Sequence, residues 1–215
     1  MNKGCEIQAE LRKIFGNHEK FVIADIGACD GLSSVAYALL FPNAFIHAFE
    51  PRYDNINRMT KNFINANLMK RSEIHYCALG NHYGMVDFWK SDGKAGKESH
   101  WYYSSSVLKP KEHLKEHPWC RFKHDSAVMQ RLDDMHIDHI DFAHIDVQGA
   151  EMMVLQGGER TFSKTRAFWI EVANMELYEG QPLRDDIVKY MEQLGCRIEK
   201  DTCGDKKYGD ILFVR

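Results

Sequence analysis

The residues best placed to do chemistry stand at the ends of short apolar runs. FVIAD (Phe21–Asp25) closes on an acid, and IGACDG follows, with Gly27 and Gly31 bracketing Ala28, Cys29 and Asp30. A small-residue turn from a strand into a helix often holds a nucleotide, because helix-start N–H groups face the ligand. A dinucleotide fingerprint needs G-x-G-x-x-G, and the positions that would have to be glycine are Cys29 and Leu32. No G-K-[ST] follows Gly31, so a P-loop is disfavoured too. Nineteen residues beyond Gly31, HAFEP ends a second apolar run on Glu50. A carboxylate there can accept both hydroxyls of a ribose. Two acids without a phosphate cradle point to S-adenosylmethionine.

A second group lies further along. DFAHID and AFWIEVA put His144, Asp146 and Glu171 near the ends of two more apolar runs. Positions 144 and 146 are two apart on a strand and so share a face. Moving a methyl from a sulfonium to an aliphatic hydroxyl requires that the oxygen lose its proton, to a general base or with help from a metal. Asp146, His144 and Glu171 are the candidates.

Each has a plainer reading: Asp146 as a helix cap or a ligand of the cofactor's amine, His144 as a structural histidine, and Glu151 as a cap in the following helix. Asp146, Glu171 and Asn174 also make an oxygen-rich set suited to Mg²⁺, which the chemistry does not require. In HLKEH, His113 and His117 are four apart, but the H-E-x-x-H glutamate is missing and Pro118 follows. No metal ligand is assigned. Trp101, Tyr102, Tyr103 and Trp119 would either stack on a sugar face or pack their own loop down.

The elements that must position these groups alternate. Strands are expected at Phe21–Asp25, Ala44–Glu50, Glu73–Leu79, Asp141–Asp146 and Ala167–Ala173. Helices are expected at Leu32–Phe41, Tyr53–Met69, Gly149–Gly158 and Leu183–Gly195. The first sixteen residues, charged in every turn, read as an opening amphipathic helix. Met85–Lys90 reads as an extra strand, hairpinned with Glu73–Leu79 across Gly80–Gly84. Ser91–His124 shows no regular pattern, and a loop of that length inside a compact domain is usually functional. Cys196–Asp201 and Gly209–Arg215 read as a closing antiparallel pair. The fold expected is α/β and Rossmann-like: a mostly parallel sheet with helices on both faces and an antiparallel C-terminal strand.

Bulk properties bound the rest. The 215 residues fit one domain, 1–215, with 91–124 as a substrate-facing insertion. The longest apolar runs are too short to span a bilayer, and no signal core stands at the start, so a cytoplasmic protein without membrane insertion is expected. The net charge of −3 with no Lys/Arg cluster argues against a nucleic-acid partner. Six cysteines without a C-x-x-C pair read as reduced thiols rather than a zinc site. Oligomeric state is left open.

ADIGACDG, HAFEP, YCALGN, LDD (Leu132–Asp134), HIDVQGAEMMVLQGG and WIEV, with the Ser104–Ser106 run and the His117-Pro118 pair, occur in the order found in FkbM-type methyltransferases, which this sequence resembles from Phe21 to about Gly195. The resemblance implies a seven-stranded class I sheet and methyl transfer from S-adenosylmethionine, usually to a hydroxyl. The acceptor would be a sugar of a glycan or glycoconjugate, or else a small polyketide-type product. By position it implies that Asp25, Gly27, Ala28 and Gly31 line the methionine end, Glu50 holds the ribose, Ala78 and Leu79 border the adenine, and Asp146 lies near the methyl. Two departures stand out: Cys29 where Asn is commoner, and His144 where Lys is common. The second leaves open a non-catalytic S-adenosylmethionine-binding protein of the same fold.

Overall fold

A computed structural model of the protein describes residues 7–16, 21–93 and 101–215. Its framework is one seven-stranded sheet. In chain order the strands are β1 (Phe21–Ile26), β2 (Ala44–Phe49), β3 (Ser72–His75), β7 (Phe142–Ile145), β8 (Ala167–Ala173), β9 (Arg197–Asp201) and β10 (Tyr208–Val214). Across the sheet the order is β3-β2-β1-β7-β8-β10-β9. All pairs are parallel except those of β10, which runs antiparallel to β8 and β9. This is the α/β, mostly parallel sheet with an antiparallel C-terminal strand that the sequence pattern predicts.

Burial explains why these runs are strands. β1 and β7 are apolar at nearly every position because a parallel sheet is covered on both faces. On one face pack α1 (Gln8–Phe15), α2 (Leu32–Leu40) and α3 (Tyr53–Asn65), through Leu11, Phe15, Tyr37, Met59 and Phe63. On the other pack α5 (Glu151–Gly157), α6 (Glu159–Phe162) and α7 (Arg184–Gln193), through Val154, Leu155, Phe162, Ile187 and Met191. α2 stops at Phe41 because Pro42 cannot continue it. Of the expected opening helix, only Gln8–Phe15 is helical here, and residues 1–6 lie outside the described residues.

The middle of the chain corrects the sequence reading. Glu73–Leu79 is not one strand: β3 ends at His75, and β4 (Ala78–Leu79) joins a separate three-stranded sheet ordered β4-β6-β5. The extra strand, β5, is longer than expected (Gly84–Gly93). It pairs not with Glu73–Leu79 but, over its whole length, with β6 (Cys120–Gln130). The stretch read as patternless therefore holds the end of β5, the short helix α4 (His113–Glu116) and the start of β6; residues 94–100 lie outside the described residues. The small sheet stands beyond the carboxyl ends of β2 and β3 and carries the chain over them.

Candidate active site

Where β1 and β7 end side by side, two turns meet. Asp25 is in register with His144, and Ile26 with Ile145. The Gly27 φ is +82°, and a Cβ there would come within 1.9 Å of the Asp146 carbonyl oxygen, so the two turns touch only because position 27 is glycine. Gly31 has another task. It faces Met59 and Phe63 of α3, with a Cβ 2.5 Å from Met59, and lines neither cleft described below. The residue between them, Cys29, takes φ +53°, a left-handed conformation costly for most side chains but mild for asparagine. That conformation turns the Cys29 amide onto Glu50 Oε2 at 2.9 Å. Burial, then the charges of Glu50 and Asp30, hold the Cys29 thiol well above the usual range, so it is no nucleophile.

Glu50 sits in a narrow cleft of about 540 Å³, part of which is open to solvent. Its carboxylate is buried; Oε1 accepts the Arg52 amide at 2.7 Å and Oε2 that of Cys29. Burial raises its pKa to about 7, against the pull of these two N–H groups, Asn55 and the Arg52 charge. With Asn55 also donating to it, the carboxylate keeps about one of its roughly four acceptor sites for a hydroxyl donor. Phe49, Ala78, Leu79, Phe88, Val107 and Val147 give the slot apolar surface, and Asn55, Ser105, Ser106, Asp146 and Gln148 add polar groups. A largely apolar slot with a buried acceptor suits a nucleoside, flat base on one side and ribose on the other.

The neighbouring cleft is wider, about 1810 Å³, and differently built. It shares Gly27, Cys29, Tyr103, Asp146 and Gln148 with the slot, so the two are adjacent. Asp25 is buried behind it, accepting Ser34 Oγ at 2.5 Å, with His144 Nδ1 3.1 Å away. Burial pushes the His144 pKa down, but the contact with Asp25 and the charges of Asp25, Asp146 and Asp210 outweigh it, and the net shift is upward. His144 is thus a charge partner for Asp25 before it is a base.

Gln148 went unnoticed in the sequence. It takes φ +57°, and its Nε2 donates to Asp146 Oδ1 and to Glu171 Oε2, both at 2.7 Å. Its Oε1 lies 3.1 Å from the hydroxyl of buried Tyr178, whose single proton is shared between it and the Ser104 carbonyl at 2.9 Å. One amide therefore holds the carboxylates of two strand ends together at the cleft wall. Glu151 acts as a cap: Oε1 accepts the Val147 and Gly149 amides, and burial raises its pKa to about 7. Asn174 is elsewhere, its amide nitrogen donating to the Gly204 and Lys206 carbonyls, so it does not complete an oxygen set with Asp146 and Glu171.

The segment 101–107 forms the outer wall of both clefts. Tyr102 donates to Asp30 Oδ2 at 3.3 Å beneath the Arg58 guanidinium, and Ser106 Oγ donates to the Gln148 carbonyl at 2.7 Å. Trp101 and Tyr103 line the wider cleft opposite His113 and His117. The two histidine rings are 4.6 Å apart, and burial lowers both pKa values, that of His113 to about 4. Trp101 stacks on His117 and meets Trp119 edge-on. The aromatics thus pack on one another while leaving ring faces on the cleft.

Comparison with known proteins agrees with this geometry. A family model described as the methyltransferase FkbM domain matches residues 25–198. The 2-O-methyltransferase NoeI of Sinorhizobium fredii is 38% identical over 169 residues, covering 76% of this chain and 68% of its own length. Among solved structures, a methyltransferase FkbM of Methylobacillus flagellatus superposes with a TM-score of 0.61 at 17% identity, over 92% of this chain. This chain spans only 44% of that protein. A precorrin-6y C5,15-methyltransferase of Geobacter metallireducens superposes with a TM-score of 0.52 at 14% identity, over 98% of this chain and 87% of its own. At such identities the two structures speak for the class I fold alone.

Proposed function

The chain belongs to the FkbM family of methyltransferases, and from that premise we propose that it transfers a methyl group from S-adenosylmethionine to a hydroxyl oxygen on a sugar of a glycan or glycoconjugate. The observation that carries this reading is that the two clefts adjoin, sharing Gly27, Cys29, Tyr103, Asp146 and Gln148. One side fits a nucleoside, and the other offers carboxylates and aromatic faces to a polyhydroxylated acceptor. The likeness to a 2-O-methyltransferase supports oxygen as the atom methylated.

When bound, the cofactor supplies an electrophilic sulfonium methyl. Glu50 accepts the ribose hydroxyls, and Ala78 and Leu79 border the adenine. The Asp25–His144 pair, with Gly27 and Ala28, lies on the side where the amino-acid end would rest. Asp146 and Glu171 face the wider cleft as proton acceptors, held in place by Gln148, and Asp146 reaches both clefts. Aligning donor and acceptor and removing one proton is what the protein must contribute. No metal is required by this arrangement.

The test is methyl transfer from isotope-labelled S-adenosylmethionine to a panel of oligosaccharides and lipopolysaccharide fractions, with the site of label found by mass spectrometry. Label on a sugar hydroxyl is expected. Label confined to nitrogen or carbon acceptors, or to non-carbohydrate hydroxyls, overturns the acceptor assignment. Failure to bind S-adenosylhomocysteine overturns the cofactor assignment.

A further inference from the structure

Away from the cleft, at the edge of the main sheet, three ligand-type side chains converge. β2 and β3 run parallel with His47 opposite Glu73 and Phe49 opposite His75. Alternate residues of a strand share a face, so His47, Glu73 and His75 project on the same side. His47 Nδ1 lies 3.1 Å from His75 Nε2 and 3.5 Å from Glu73 Oε2, and the third side, His75 Nε2 to Glu73 Oε2, is 3.9 Å. A tetrahedral zinc ion with bonds of about 2.0–2.2 Å sets its ligand atoms roughly 3.3–3.6 Å apart. The observed triangle brackets that spacing.

The surroundings suit a cation as well. The imidazoles are mostly shielded, at 13% and 12% side-chain exposure, whereas Glu73 is 59% exposed, leaving one side open for entry and for water. A single imidazole–imidazole hydrogen bond would account for the pair, but not for a carboxylate drawn close to the same two nitrogens. Among the described residues this is the group of three or more His, Cys, Asp or Glu side chains with converging ligand atoms.

We propose that His47, Glu73 and His75 form a binding site for a zinc-class divalent cation, separate from the methyl-transfer cleft, with water completing the coordination. Two neutral imidazoles and one carboxylate are a ligand set that Zn²⁺ accepts with an open position. The ion would pin edge strand β3 to β2. It would also fix the His75 ring, which stacks on Phe49 at 4.4 Å and 11°, and Phe49 is a wall of the adenosine slot.

The experiment is calorimetric titration of the metal-stripped full chain with ZnCl₂, repeated with CoCl₂ in a visible-absorption cell. One saturable equivalent is expected, with a Co²⁺ spectrum free of thiolate charge transfer. Glu73→Gln changes an exposed side chain and should leave the metal-free melting temperature unchanged while weakening Zn²⁺ by at least about tenfold; His47→Asn should weaken it further. Absence of saturable binding would reduce the cluster to a plain histidine pair. Undiminished binding in both variants would place the zinc elsewhere, on His113 and His117 or on cysteine. Either result overturns the proposal.

Discussion

The two halves of the cleft solve opposite problems. In the narrow half both oxygens of Glu50 already have backbone partners, and Phe49, Leu79, Phe88, Val107 and Val147 give much of its wall apolar surface. The wide half gathers Asp25, His144, Glu171 and Asp210 from the main sheet, with Trp101, His113 and His117 from outside it. Its His144 Nε2, His113 Nδ1 and His117 Nδ1 are buried without hydrogen-bond partners among the described residues. Buried polar atoms are nearly always paired, and leaving one bare costs about 1–3 kcal/mol. The narrow half is therefore finished before its ligand arrives, whereas the wide half has polar atoms that a ligand would complete. A cofactor of fixed shape suits the first, and a hydroxyl-rich acceptor suits the second.

Substitutions can break that division. The largest effect is expected at the boundary: Asp146→Asn should lower kcat by at least about 100-fold, with S-adenosylhomocysteine still bound, measured by single-turnover rates and calorimetry. Intact turnover would take Asp146 out of proton transfer. On the narrow side, Glu50→Gln should weaken cofactor binding by about 1.5–3 kcal/mol, leaving the acceptor KM little changed.

Glu50 also makes the division pH-dependent. Its carboxyl titrates near 7 when the slot is free of ligand, and hydroxyl donors bind the ionised form. Affinity should therefore fall as pH drops below about 7 and level off above it, and Glu50→Gln should flatten the profile. A flat profile in the unaltered protein would mean that the ribose does not rest on Glu50.

On the wide side, Trp101→Ala should raise the acceptor KM about fivefold through loss of a ring face, without touching cofactor affinity. If cofactor affinity falls equally, the two halves are not separable at that wall. The smallest effect belongs to the turn itself. Cys29→Asn places a residue tolerant of left-handed backbone at φ +53° and should stabilise the protein by about 0.5 kcal/mol, or about 1–2 °C in melting temperature.

The strand ends of the main sheet were far more legible in the sequence than the small sheet. Asp25, Gly27 and Glu50 stand at the ends of continuous apolar runs, where burial on both faces leaves a clear signature. β6 has no such signature. CRFKHDSAVMQ is exposed at most positions and is held as a strand by its register with β5, a partner far away in sequence. A pattern tuned to burial passes over such a strand.

Glu73–Leu79 read as one run because every residue suits a strand, yet the chain changes sheets between His75 and Ala78 to meet β6. The Asp25–His144 contact needs the knowledge that β1 and β7 are neighbours. Gln148 looked like one letter of a motif. Its role depends on Glu171 and Tyr178 arriving from elsewhere in the fold beside its near neighbour Asp146.

Tyr103 belongs to both clefts, so neither ligand meets an independent wall. Thermodynamic linkage makes any such coupling reciprocal: whatever factor a filled slot adds to acceptor affinity, a bound acceptor adds to cofactor affinity. Where that factor exceeds one, the same ring also strengthens retention of the demethylated cofactor whenever fresh acceptor enters early. High acceptor concentrations then slow turnover rather than saturate it; where the factor is below one, early acceptor speeds release through the same shared tyrosine.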